Sequence, residues 1–591
     1  MKGKILIILL AVMALCMYFF WVYLPVHKSY GDFVAYVAGI IHKKQRANAI
    51  AQSVTPHLHG IFKTLTLVVG ILLLVLAVVA IKYAEKLTAL LKRFLHFLLY
   101  PFQSFYATWK RMENPPRIIL LAALTILIAQ GLWYITHYAV THDEAYSMNN
   151  FMMNGPVVAA TFYPYPNNHI LYSMVSYFFG FLPVPYAVAY RLPSLMAMFI
   201  GSIALFKLIR HFAKDAIAAL AVTIFVTALP VVVYSFLARG YSFLFMFCNA
   251  SLLALVNIET GNKKKYWIYF TAFSIAGLYT IPSYIYVYTI MMGSCFLYWL
   301  LNKKYAQLKS LCISGVVCSI ITVLLYLPVI VSSGGWGNFH KILYVGYDKL
   351  PTITGADIAN FASIIYDYSY NEKPMAAWAL IIVVTIAAIA LWIKTSNTSA
   401  TNNKLRLLLH IAIVGFYFPV FCFMIQRTYF AHRIFFHLVA YSLIFLVMSI
   451  NVFIPAKRQV AVMVLCSAFF VSCYGLFGRK SIMEHSHSDE DRSAWLISKT
   501  MLQQSNTAID TCYTFSAFFL PALQLDYRVK GKELYVYQQY QGSPSTKAFS
   551  FNDNYPWVIV DTASHIPELA IIDKYYNAVI VRNNVVLWKR K

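Results

Sequence analysis

Apolar runs of roughly 17 to 23 residues recur along this 591-residue chain, separated by short loops rich in lysine and arginine. A helix needs about 20 such residues to cross the hydrocarbon of a bilayer. The pattern predicts thirteen spans, near residues 5–24, 64–82, 118–139, 192–210, 216–236, 241–258, 266–282, 284–301, 308–330, 376–394, 405–424, 431–453 and 459–476. Basic clusters sit at Lys82 to Arg117, Lys207 to Lys214, Lys263 to Lys265, Lys303 to Lys309, Lys394 to Arg406 and Lys457-Arg458. Cytoplasmic loops collect lysine and arginine. All six clusters fall on one side if the N-terminus is cytoplasmic and the C-terminus outside. The first run ends in Phe19-Phe20-Trp21 with no small-residue cleavage site, so it reads as a retained anchor.

Two long outer loops follow from this map. Residues 140–191 hold a second apolar stretch, Asn168 to Leu182, too short to span and read as a helix lying at the membrane surface. Residues 331–376 open with Ser332-Ser333-Gly334-Gly335-Trp336-Gly337 and are long enough to act as a lid over 332–375. After Phe477 the pattern changes. Ala578 to Arg582 and Val585 to Trp588 flank Asn583-Asn584 as a hairpin, with further strands at 556–560 and 533–537 and a helix at 492–505. The chain therefore divides into a two-span extension with a basic surface helix (1–114), a transmembrane core (115–477) and an extracytoplasmic α/β domain (478–591).

Composition agrees. Hydrophobic residues make up 60% and charged residues 12% of the chain, which fits a polytopic membrane protein and excludes an ordinary soluble enzyme. The net charge of +26 would suggest nucleic acid in a soluble protein. Here the basic residues mark topology, and no nucleic-acid motif accompanies them. Of nine cysteines only Cys512 falls in the C-terminal domain, so no disulfide forms within it; the other eight lie in or beside spans at no metal-ligand spacing and read as small buried hydrophobes.

Carboxylates are scarce in the core. Between Pro115 and Tyr347 there are four: Asp143, Glu144, Asp215 and Glu259. The last two lie in basic loops. Asp143 and Glu144 form an adjacent pair at the outer membrane surface, where ionised groups are costly unless paired or at work. The pair reads either as chemistry or as an acidic helix cap.

The order of short motifs narrows the choice. His142-Asp143-Glu144-Ala145 follows a span and a surface helix follows it; Arg191-Leu192-Pro193-Ser194 opens the next span. Ala238-Arg239-Gly240-Tyr241, Leu278-Tyr279-Thr280 and Ala431-His432-Arg433 come later. Over roughly residues 115–455 this resembles the GT-C membrane glycosyltransferases, in particular the protein mannosyltransferase-like group that includes lipid A aminoarabinose transferases. The chain departs from the usual Pro-Pro-Leu-like start of the second surface helix, where it has Pro166-Asn167-Asn168-His169-Ile170. The resemblance implies an all-α polytopic membrane enzyme of about thirteen transmembrane helices. It implies sugar transfer from a polyprenyl-phosphate donor to a protein, lipid or glycan acceptor at the extracytoplasmic face of the plasma (inner) membrane.

The resemblance also implies roles. Asp143 matches the family's base. Glu144 is a second acid that orients the acceptor or binds a divalent cation, and its charge is expected to raise the pKa of its neighbour. Arg239, Arg433 and Arg427 are the expected donor-phosphate ligands, because a guanidinium suits an oxyanion better than an ammonium does. His142, His169, Tyr279 and Trp336 are expected around the acceptor and sugar. The bland alternatives are surface histidines, snorkelling arginines and aromatic-belt residues. No protein metal site is assigned. Two rival classes remain: a flippase or transporter of a lipid-linked substrate, and a non-catalytic scaffold. No carboxylate falls inside a predicted span, which argues against proton-coupled transport.

Overall fold

A computed structural model describes residues 2–40, 55–163, 167–261, 263–332, 335–337, 339, 350–366, 374–396, 403–430, 432–486, 489–505, 507–515, 520–538, 549–561, 569–582 and 585–591. The chain forms two compact units, Met112–Leu496 and one made of Met1–Arg111 with Ile497–Lys591.

The larger unit is a helical bundle. Among the described residues of the whole chain, nine helices are long and apolar enough to cross a membrane by length and composition. Eight lie in this unit, including Asn114–His137, Tyr186–Ile209 and Tyr241–Gly261. One predicted span is shorter than expected: 431–453 begins as the 3-10 turn His432–Phe435 before the helix Leu438–Phe453. The predicted span 266–282 is the helix Lys264–Thr280, and in the smaller unit 5–24 is the helix Lys2–Tyr18 continued through the π-helical turn Phe19–Tyr23.

The predicted span 216–236 is broken. It consists of Asp215–Thr227 and Leu229–Phe236, bent by 68°. Ala228 between them is extended, and Pro230 opens the second helix. Proline lacks the N–H that a continuing helix needs, and its ring would meet the carbonyl four residues back. The bend matters because the second helix ends at Leu237, again extended, and delivers the Ala238-Arg239-Gly240 turn to one end of the bundle.

At that end lie two short helices, His142–Asn150 and Ile170–Phe179. The second is the predicted surface helix, ten residues long and stopped at Gly180. Of the predicted lid, 333–334, 338, 340–349 and 367–373 lie outside the described residues, as do Pro164, Tyr165 and Pro166 of the first outer loop; the helix Gly355–Tyr366 is described.

The smaller unit contains Pro56–Lys82 and Ala84–Arg111, and a five-stranded mixed sheet. Its strands are β1 (Ile509–Thr514), β2 (Glu533–Gln538), β3 (Trp557–Asp561), β4 (Tyr576–Arg582) and β5 (Val585–Arg590), in the order β2-β1-β3-β5-β4. The strands β1, β2 and β3 are parallel; β5 runs antiparallel to β3 and β4. The hairpin and the strands at 533–537 and 556–560 match the sequence pattern. The strand β1, which lies between β2 and β3, was not foreseen, because Asp510, Thr511 and Thr514 break its apolar character. Asp510 is nevertheless buried, accepting from the Thr507 and Tyr527 hydroxyls, each at 2.8 Å.

Candidate active site

The segment after the helix Asn114–His137 turns at Thr141 and starts a new helix there. Thr141 Oγ1 accepts from the Glu144 N–H at 3.3 Å, and Glu144 Oε2 accepts from the Thr141 N–H at 3.0 Å. This reciprocal capping box fixes where the helix begins. Successive residues on a helix point about 100° apart, so Asp143 and Glu144 face different surroundings.

Glu144 is fully buried and saturated. Arg191 donates through Nε to Oε1 at 2.8 Å and through Nη2 to Oε2 at 2.7 Å. The Ala238 N–H adds a bond to Oε1 at 2.6 Å. The remaining Arg191 donors reach the carbonyls of Ile135, Tyr138 and Ala139 at 3.1, 2.8 and 2.9 Å. Those carbonyls close the C-terminal end of a helix, where they lack intrahelical partners and favour a cation. All five guanidinium N–H groups are thus used, and one ion pair ties together three segments. Burial pushes the Glu144 carboxyl up, but Arg191 and the Ala238 and Thr141 N–H groups outweigh it and hold the pKa below the usual range.

Asp143 is different: 36% of its side chain is exposed. Its Oδ2 lies 3.4 Å from Arg239 Nη2 and 3.8 Å from Arg433 Nη1, and its Oδ1 accepts from Asn167 Nδ2 at 3.1 Å. Arg239 also reaches the Asp143 carbonyl at 3.3 Å and Ser147 Oγ at 3.4 Å. Ser194 Oγ, bonded to the Leu237 carbonyl at 2.5 Å, holds the turn that carries Arg239. Burial alone would raise the Asp143 pKa; Arg239, then Arg433, Asn167 and His142, bring it down to about 2. The expected mutual raising of two adjacent acids is therefore reversed, because each carboxylate has its own guanidinium.

Asp143, Arg239 and Arg433 come together as the sequence suggested. His142, the first residue of the short helix, contributes its charge to Asp143. His169 is buried, and its Nδ1 accepts the Gly240 N–H at 2.5 Å. Arg427 is not part of the group: it is exposed, has φ of 54°, and reaches the Pro351 carbonyl at 3.3 Å. Tyr279 is buried edge-on to Tyr326, and Trp336, 61% exposed, packs near Phe339. Three participants had no assigned role in the sequence reading: Arg191, Asn167 and Ser147. Arg191 had a signal, since an arginine at the head of an apolar span needs an acid and the stretch between Pro115 and Tyr347 offers only four.

A divalent cation finds a poor donor set here. Glu144 has no free oxygen, Asp143 faces two arginines, and no group of three or more His, Cys, Asp or Glu assembles among the described residues.

No family model matches the sequence, and no curated protein matches it. Solved structures do resemble it in fold. The structure of ArnT from Cupriavidus metallidurans bound to undecaprenyl phosphate aligns with a TM-score of 0.57 at 12% identity, over 80% of this chain and 97% of that one. The apo form of the same protein gives 0.55 with the same identity and coverage. The chain has the GT-C fold. The archaeal oligosaccharyltransferase AglB from Archaeoglobus fulgidus, in complex with an inhibitory peptide and a dolichol-phosphate, aligns at 0.43 and 11% identity over 78% of this chain and 72% of that one.

In this GT-C core the approach of Gly240 to His169 is sterically tight. A Cβ on Gly240 would lie 2.7 Å from His169 Nδ1 and 2.8 Å from Thr280 Cγ2. Gly240→Ala is expected to destabilise the protein by about 1–3 kcal/mol through overpacking. A thermal midpoint unchanged from wild type would contradict this.

Proposed function

We propose that this chain is a GT-C glycosyltransferase that moves a sugar from a polyprenyl phosphate to an acceptor hydroxyl at the extracytoplasmic face. The observation that carries the reading is the convergence of Arg239 and Arg433 on one oxygen of a partly exposed Asp143. A carboxylate and two guanidinium groups are what such a transfer needs. Asp143 takes the proton of the acceptor hydroxyl as its oxygen attacks the anomeric carbon. The bond from that carbon to the phosphate oxygen breaks, and the polyprenyl phosphate leaves with the electron pair. Arg239 and Arg433 meet the charge on the phosphate.

The arginines serve two anions in turn. Without donor they pair with Asp143 and make it a weak base. A donor phosphate competes for the same guanidinium groups, and as they turn to it the basicity of Asp143 rises. Glu144 acts in this reading as a positioning residue: with Arg191 it fixes the helix that carries Asp143. The 332–375 segment acts as a lid. The Leu350 N–H donates to the Arg427 carbonyl at 2.8 Å and the Tyr429 hydroxyl to Asp357 at 3.0 Å. Lid movement is thereby coupled to the chain just before Arg433. The 478–591 domain is assigned to acceptor recognition, and 1–114 to a membrane-anchored extension.

The direct test is transfer from radiolabelled undecaprenyl-phosphate sugars to native membrane extract by the purified protein. Transfer from one donor supports the reading; no transfer from any donor moves the weight to a flippase or a scaffold.

The pairing sets a pH dependence. Asp143 in the free protein titrates at about 2 instead of 3.8, so it stays ionised until the pH falls through that lower value. Since kcat/KM reports groups of the free enzyme, Asp143 is expected to add no acidic limb above about pH 4. Arg433→Gln removes one of the cations, moves that limb upward and raises the KM for donor. A limb that stays in place in Arg433→Gln would count against the shared-arginine arrangement.

A further inference from the structure

Two buried polar atoms beside the Asp143 cluster have no hydrogen-bond partner: the Tyr163 hydroxyl and His169 Nε2. Each residue is 2% exposed. Buried polar groups are ordinarily paired, and one left unmade is costly. Two such orphans in one corner of a site mark a place where something else supplies the partner.

The geometry says what each atom offers. His169 Nδ1 accepts the Gly240 N–H, so the ring proton sits on Nε2 and that atom is a donor. Burial first, and then the Arg239 charge, keep the ring neutral, its pKa well below the ordinary histidine value. The ring stands edge-on to Tyr241, centroids 5.0 Å apart at 85°, and the backbone of Gly240 lies against it. His169 is thus a fixed, uncharged donor in one tautomer. Tyr163 packs in one buried cluster with Ile170, the residue after His169, and Asn168 Nδ2 ties down the chain before it by donating to the Ala159 and Phe162 carbonyls at 2.7 and 3.0 Å. The Tyr163 hydroxyl, like His169, lies within the influence of Arg239. Its ring belongs to an apolar wall with Tyr279, Tyr326 and Phe339.

We propose that Tyr163 Oη and His169 Nε2, set against this aromatic wall, form the donor's sugar subsite and take a neutral monosaccharide. The inference rests on the transferase reading above. Uncharged directional donors suit hydroxyl and ring oxygens, while the phosphate charge is met by the arginines. Aromatic faces suit the C–H side of a sugar ring. The Tyr163 hydroxyl and the neutral His169 ring offer no negative charge to pair with a cationic amino sugar.

The test compares dissociation constants of the purified protein in nanodiscs for undecaprenyl phosphate alone and for the same lipid carrying glucose, mannose, galactose, arabinose or 4-amino-4-deoxyarabinose. The variants are Tyr163→Phe, which deletes one hydroxyl, and His169→Asn, which keeps an acceptor for Gly240 and removes the Nε2 donor. Wild type is expected to bind one neutral sugar-lipid more tightly than the bare lipid phosphate. Each variant should cut that preference by about three- to tenfold, the worth of one neutral hydrogen bond, and leave the bare lipid within about twofold. A preference unchanged in both variants, equal weakening of both ligands, or selective binding of the amino sugar overturns the subsite. Wild type that binds no polyprenyl phosphate at all overturns the transferase reading itself, an outcome separate from the variants' ratio.

Discussion

Asp143→Asn is expected to abolish sugar transfer while leaving the protein folded. Asparagine has the same shape but cannot take the acceptor's proton, and general-base catalysis is worth about 10² to 10⁴ in rate. The fold should tolerate the change, because the Asp143 side chain is partly exposed and exposed ion pairs contribute little. Donor binding should move in the other direction. With the carboxylate gone, Arg239 and Arg433 no longer divide their charge between aspartate and phosphate, so affinity for undecaprenyl-phosphate sugar should hold or tighten. The variant is therefore recognised by a split: single-turnover rate lost, donor dissociation constant equal to wild type or lower. Transfer within threefold of wild type would remove Asp143 from the chemistry. Loss of donor binding together with rate would recast it as a structural anchor.

Arg191→Leu is expected to have the largest effect on stability. It leaves Glu144 charged, buried and without its guanidinium, and it strips three carbonyls at the end of Asn114–His137 of their donor. Breaking one side of a buried pair costs about 3–5 kcal/mol. The pair in isolation is not the source of that figure. Removing both charges, as in Arg191→Leu with Glu144→Leu, should recover part of the loss, since no uncompensated ion remains. Unfolding half-life in detergent at fixed temperature is the suitable measure for a large membrane protein whose unfolding is irreversible. An Arg191→Leu half-life equal to wild type, or a double variant worse than both single ones, would contradict the account. Activity should fall further than the folded fraction in these variants, because the helix that carries Asp143 loses its anchor, whereas in Asp143→Asn the folded fraction holds while the rate is lost.

Local sequence carried the membrane helices, the short surface helix and most of the terminal sheet. Each of those depends on the spacing of apolar residues, and the free energy of burial follows that spacing directly. The helix start at Thr141 was also legible, because Thr-x-x-Glu is a capping signal complete within four residues. Asp143, Arg239 and Arg433 were singled out through the order of their motifs along the chain. What the sequence did not carry was the division of labour between adjacent acids. Glu144 meets Arg191 47 residues on and the Ala238 N–H 94 residues on. Asp143 meets Arg239 and Arg433 instead. The bend at Ala228, the strand Ile509–Thr514 with its buried Asp510, and the unpartnered Tyr163 hydroxyl and His169 Nε2 belong to the same group. Nothing local distinguishes a carboxylate that will be locked from one that will stay accessible. That choice falls to the packing that decides which distant donors arrive, and on which side of the helix they do so.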